Sequence, residues 1–79
     1  MQVEFYGILE EVMGQPRMTL TLDEGATVAD ALTALTAEKP ELAPHLERVA
    51  YAVGDELVSR ETALKPDDTL VLLPPVSGG

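Results

Sequence analysis

Just one stretch of this sequence carries the apolar stripe of a substantial helix. Val28, Ala31, Leu32 and Leu35 recur at the i, i+3, i+4, i+7 spacing of a single helical face. Thr27 is placed to cap that helix, Asp30 three residues on favours its positive end, and Lys39-Pro40 stops it. The remaining apolar residues fall mostly into short alternating runs. One helix must therefore cover one face of whatever sheet those runs build.

Val3 and Phe5 alternate with Glu4 and Tyr6 before Gly7, the period-2 pattern of a strand with Val3 and Phe5 inward and Tyr6 outward. Ile8, Leu9 and Val12 have helical spacing up to Gly14, which suits the end of a short helix over Ile8 to Met13. Met18, Leu20 and Leu22 alternate with threonines and predict a second strand, closed by Asp23-Glu24-Gly25. After the main helix, Glu41 to Arg48 reads as a polar connection broken by Pro44, with room for one helical turn. Val49 to Val53 reads as a strand, Gly54-Asp55-Glu56 as a turn and Leu57-Val58 as a short extended piece. Ser59 to Pro66 is a surface connection, and Asp67-Asp68 turns into a last strand, Thr69 to Leu73. The order strand, strand, helix, strand, short strand, strand is that of an α+β, β-grasp (ubiquitin-like) domain, with a mixed sheet of about four or five strands. The chain thus divides into a domain over 1–73 and a flexible C-terminal tail over 74–79.

With 79 residues the chain suffices for one small domain and leaves no room for a deep enzyme cleft. Fourteen acidic and five basic residues give a net charge of -9, which repels phosphate backbones and anionic lipid, so neither nucleic acid nor membrane is an expected partner. A basic protein surface suits this charge, although scattered acidic residues also serve solubility alone. The absence of cysteine removes disulfides, thiolate metal sites and thiol nucleophiles together, and the start Met1-Gln2-Val3-Glu4 lacks a signal-peptide pattern. These features suggest a cytoplasmic setting.

Alternation along the last strand sends Leu70 and Leu72 to one face, and Val71 and Leu73 to the other. With Tyr6 and Leu57, Val71 and Leu73 form an expected apolar patch beside the start of the tail. A one-residue slip would exchange the faces, and the alternative is that the final strand is central and the 59–66 connection covers part of the patch. Internal catalytic chemistry is not evident. His45 is the sole histidine and has no evident metal partner, Glu10 and Glu11 diverge on a helix, and Ser59 and Ser77 have no neighbouring base. No metal site or bound cofactor is expected.

What remains reactive is the carboxylate of Gly79. Gly78 and Gly79 make an end with no side chains, and glycine permits the close backbone approach of a narrow active site. Pro74 and Pro75 stiffen the base of this arm, Ser77 keeps it slim, and residues 74–79 reach roughly 20 Å at about 3.3 Å each. The carboxylate is ionised at neutral pH and is a poor electrophile until it is activated, which adenylation by ATP would do.

The ending Leu72-Leu73-Pro74-Pro75-Val76-Ser77-Gly78-Gly79 resembles the MoaD/ThiS family of ubiquitin-like sulfur carriers. So do Phe5-Tyr6-Gly7 with Glu11 and Gly14, and Ala52-Val53, Leu57-Val58, Leu64 and Asp68. The Pro-Pro-Val-Ser-Gly-Gly ending favours the molybdopterin synthase branch over the thiamine-pathway carriers. This resemblance implies a non-catalytic subunit of a heterotetrameric sulfurtransferase. A ubiquitin-activating-type adenylating enzyme would use Mg-ATP on Gly79, a sulfur-donating enzyme would make the thiocarboxylate, and the synthase large subunit would receive the tail. It further implies docking through Tyr6, Leu57 and Leu73, and delivery of sulfur to cyclic pyranopterin monophosphate. Carriers for thiamine or tungsten cofactor synthesis, or a modifier joined to lysines through Gly79, share the activation chemistry and stay open. Glu10 stands where many relatives have Arg and Gly54 where many have Asn, so polar contacts from those positions are not implied.

Overall fold

A computed structural model describes residues 1–75 of the chain. Five strands form one mixed sheet in the order β2-β1-β5-β3-β4, where β1 is Gln2–Phe5, β2 Arg17–Thr19, β3 Ala50–Val53, β4 Glu56–Val58 and β5 Thr69–Leu73. The β1–β5 pair is parallel and the other three pairs are antiparallel. Because β5 lies centrally between β1 and β3, its two faces are set by neighbours on both sides, which fixes its register.

The helix predicted around Val28 is α2, Val28–Glu38, with Val28, Ala31, Leu32 and Leu35 all buried. Its first turn leaves no amide unpaired. The Val28 and Ala29 N–H groups donate to the carbonyls of Thr62 and Arg60, at 3.0 and 2.9 Å, and the Ala31 N–H donates to the Thr27 carbonyl at 3.1 Å. The Asp30 N–H donates to Thr27 Oγ1 at 3.3 Å, while the Thr27 N–H donates to Asp30 Oδ2 at 2.9 Å, closing a capping box. The 59–66 connection is thus tied to the start of the helix on the core side of the sheet, and the Leu64 N–H adds a bond to the Ala26 carbonyl at 2.7 Å. Replacing Thr27 by Ala removes both side-chain bonds of Thr27. The expected cost is about 1 kcal/mol, read as a lower midpoint with an unchanged slope in urea unfolding.

The core joins α2 to Val3, Phe5, Leu70 and Leu72 of the sheet, all at most 1% exposed, and to Leu9 of the short helix α1, Ile8–Met13. Gly14 ends α1 in the left-handed conformation, φ 76°, as its position suggests.

Two expectations need correction. The segment read as a polar connection winds into a 3-10 helix over Pro40–Glu47, and its Leu42 and Leu46 are buried at 0% and 5% exposure. Pro44 removes an amide and clashes with α-helical winding, which favours the tighter turn, and Leu42 and Leu46 reach the core from it. The second strand covers Arg17–Thr19 rather than reaching Leu22. Past Thr19, Met1 stands opposite and exchanges bonds of 2.8 and 3.0 Å with Leu20, and among the described residues no strand lies beside Leu22. Of the helically spaced Ile8, Leu9 and Val12, Leu9 supplies the buried core contact and Ile8 is 44% exposed.

Candidate docking surface and chain terminus

Side-chain alternation and the observed registers place one row of residues across all five strands on the face away from α2: Arg17, Glu4, Val71, Ala52 and Leu57. In the next row Leu73 stands opposite Ala50, and Tyr6 lies one step beyond the Phe5–Leu72 pair on the same side as Glu4. Tyr6, Leu57, Val71 and Leu73 therefore share this outer face. Leu57 is 71% exposed and Tyr6 47%, while Val71 and Leu73 are half-buried. The 59–66 connection, held against the start of α2, does not form the outer face's cover.

The patch has an acidic border. The Tyr6 hydroxyl donates to Glu4 Oε1 at 2.9 Å, which pins the ring along its strand. That hydrogen bond, reinforced by the negative charge of Glu4, holds the Tyr6 phenol above its usual range. Asp55 and Glu56 adjoin Leu57 in the turn and the start of β4, and both are exposed. An apolar centre whose rim carries Glu4, Asp55 and Glu56, with Arg17 beyond Glu4, complements a partner with an apolar patch and mainly basic surroundings.

Pro74 is half-buried and Pro75 exposed, directly after Leu73 at the end of β5. The sites assigned to Val76, Ser77, Gly78 and Gly79 lie outside the described residues. Among the described residues no group of three His, Cys, Asp or Glu side chains is placed to hold a metal ion, and no helix is long and apolar enough to cross a membrane. Two features escape a reading of residue types. Ile8 faces a cleft of about 190 Å³ shared with Pro44, His45, Arg48, Pro74 and Pro75, and Gly7 carries a positive φ of 58° beside Pro74. The Pro-rich ending is a visible signal for the first; nothing local marks the second.

A mixed five-stranded sheet crossed by one main helix, with an apolar outer face beside the exit of its last strand, is a ubiquitin-like β-grasp domain. SAMP1 from Haloferax volcanii, a small archaeal modifier protein, has the same fold: its crystal structure superposes with a TM-score of 0.90 at 30% identity, covering 99% of this chain and 97% of that one. The ThiS family profile matches residues 3–79, and the chain belongs to the ThiS family. A curated relative, the molybdopterin synthase sulfur carrier subunit of Chlamydomonas reinhardtii, is 31% identical over 99% of this chain and 96% of its own length. A chain in the protein–protein complex of subunits 1 and 2 of the molybdopterin-converting factor from Helicobacter pylori is 30% identical, with a TM-score of 0.69, covering 99% of this chain and 96% of that one. Sulfur carriers and ubiquitin-like modifiers thus both stand among the chain's relatives, and the resemblance to the MoaD/ThiS carriers is borne out.

Proposed function

We propose that this chain is a cytoplasmic sulfur carrier for molybdopterin formation, a non-catalytic subunit whose folded part, 1–73, docks through its outer sheet face while residues 74–79 enter the partner's site. The observation that carries the reading is that Val71 and Leu73 of the outer face lie on β5 itself, the strand from whose end the Pro74-Pro75 segment departs. A docking face contiguous with the root of the terminal arm lets one binding event position a reacting group at its end.

The chemistry begins on the Gly79 carboxylate. One of its oxygens attacks the α-phosphorus of Mg-ATP in a ubiquitin-activating-type enzyme, and pyrophosphate leaves. A sulfide equivalent from a sulfur-donating enzyme then adds to the acyl carbon; the C–S bond forms, the C–O bond to AMP breaks, and a thiocarboxylate results. Each atom transferred to the chain is thus supplied by a named class of partner. Docking on the synthase large subunit delivers the sulfur to cyclic pyranopterin monophosphate. The relatives named as molybdopterin synthase sulfur carriers and the Pro-Pro-Val-Ser-Gly-Gly ending support this assignment. No cofactor is assigned to the chain itself; Mg-ATP belongs to the activating enzyme.

A second reading has an observation of its own: the close superposition on an archaeal modifier favours conjugation through Gly79 to lysine amines. Carriage of sulfur for thiamine or tungsten cofactor synthesis uses the same activation. Intact-mass measurement of the full chain after incubation with its activating enzyme, Mg-ATP and a sulfur source distinguishes carrier from modifier. The carrier reading expects replacement of one oxygen by sulfur at the terminus, and formation of molybdopterin when large subunit and pterin precursor are added. Lysine-linked adducts with no thiocarboxylate establish the modifier reading instead, and co-purification with a thiazole synthase points to the thiamine pathway.

A further inference from the structure

We propose that Gly7 is a positioning residue for the C-terminal segment, setting the direction in which the chain leaves the sheet after Leu73. Because β1 and β5 are parallel neighbours, with Phe5 opposite Leu72, the residues following both strands emerge together at one end of the sheet. Tyr6-Gly7 and Leu73-Pro74 are consequently side by side. A Cβ added at Gly7 would lie 3.1 Å from Pro74 Cγ, inside the roughly 3.5–4.0 Å of favourable carbon contact. The atom it would meet belongs to a closed ring, so it can give way only by repuckering of that ring or by displacement of the whole proline. On a second side, Pro74 and Pro75 share the cleft of about 190 Å³ with Ile8, Pro44, His45 and Arg48.

Gly7 is itself held. Its φ of 58° and ψ of -131° form the turn from β1 into α1, and its carbonyl accepts from the Glu10 N–H at 3.1 Å. The bare Cα is therefore a fixed surface against which the Pro74 ring sits. Proline restricts its own φ and disfavours helical backbone in the residue before it, so a displacement of the ring is passed to Pro75 and onward rather than absorbed locally. The consequence for carboxyl activation rests on the carrier reading above; the packing relation itself does not.

The test uses the full chain in four forms: unmodified, Gly7→Ala, Pro74→Ala, and the two combined. Amide NMR shifts of Leu73 and of residues 76–79 are recorded well below each melting transition, and adenylation kcat/KM is measured with the activating enzyme. Gly7→Ala is expected to move those amides and to lower kcat/KM by about tenfold, within the range produced by misplacing a reacting group by 1 Å. In the Pro74→Ala background, where Cγ is absent, adding Gly7→Ala should change kcat/KM less than about threefold and the amide shifts by less than half as much. Equal effects in both backgrounds, or a loss of melting temperature with unmoved tail amides, would reduce Gly7 to a strained turn and overturn the proposal. Should Gly7→Ala fail to fold, Pro74→Ala decides, because it introduces no positive-φ strain: it must shift the Gly7 amide and the Ile8 methyl signals, and unmoved signals refute the contact. If even the unmodified chain is never adenylated, the carrier reading fails, while the NMR shifts of the four forms still decide whether Gly7 steers the segment after Leu73.

Discussion

A chain lacking Gly79 is expected to fold normally and to accept no sulfur. Its new terminus, Gly78, still offers a carboxylate, so the loss would be one of reach rather than of functional group. Shortening an extended arm by one residue draws the attacking oxygen back by about 3.3 Å. Since errors of about 1 Å already cost up to 10²-fold when reacting atoms must meet in line, loading by the activating enzyme should fall by more than that, below detection in an intact-mass spectrum. Stability should not change, because Leu70 and Leu72 of β5 already complete the buried cluster with α2. The thermal transition of the truncated chain should overlay that of the full one. Undiminished thiocarboxylate formation would move the reacting group elsewhere and remove the basis for treating residues 74–79 as a delivery arm.

The parts of the fold that are legible in the sequence are those in which a local pattern and a tertiary requirement agree. Thr69 to Leu73 alternates, and as a central strand it is buried on one side and half-covered on the other, so period and environment coincide. The Thr27–Asp30 cap and the α2 stripe agree in the same way, since the cap closes a helix whose apolar face meets the sheet. Pro40–Glu47 departs from its sequence reading because composition there outweighs spacing. Among proline, glutamate and histidine, two leucines four apart look incidental, yet both are buried with the strand residues of the core. The shortening of the second strand is invisible for a different reason: alternation describes a residue's neighbours in the chain and says nothing about where the opposite strand ends.

The outer face shows the same division. Placing Tyr6, Leu57, Val71 and Leu73 on one side requires only alternation, and the registers agree. That they adjoin requires the β1–β5–β3–β4 order, which no local pattern supplies. Ile8 illustrates the limit most directly, because helical spacing groups it with Leu9 and Val12 while packing buries Leu9 and leaves Ile8 exposed. A helix of six residues has room for few inward positions, and which of two adjacent apolar residues turns inward depends on the angle at which Gly7 launches it.

Adjacent residues of β5 should separate folding from docking. Leu72 is 0% exposed and belongs to the buried cluster, so Leu72→Asp places an unpaired charge among apolar side chains. Burying a carboxylate without a partner costs several kcal/mol, a large share of the roughly 5–15 kcal/mol that holds a typical small domain together. The variant should be unfolded at about 25 °C, and the milder Leu72→Ala should lose about 2–5 kcal/mol. Leu73 lies on the opposite face, half-buried and paired with Ala50, so an Asp there keeps its charge in contact with water. Its thermal transition should fall by only a few degrees. Among the variants that stay folded, docking should fall most at Leu73, because Leu73→Asp puts a desolvated charge in the proposed interface, where truncation of a single anchor typically costs about 2 kcal/mol or more. Calorimetric titration against the synthase large subunit should show affinity reduced at least about thirtyfold by that amount, with Leu57→Asp behaving similarly at the far end of the patch. Should Leu73→Asp unfold the chain as Leu72→Asp does, the outer face of β5 would be a second core surface. Should it fold and bind undiminished, the partner would have to approach from the side of the Ile8 cleft instead.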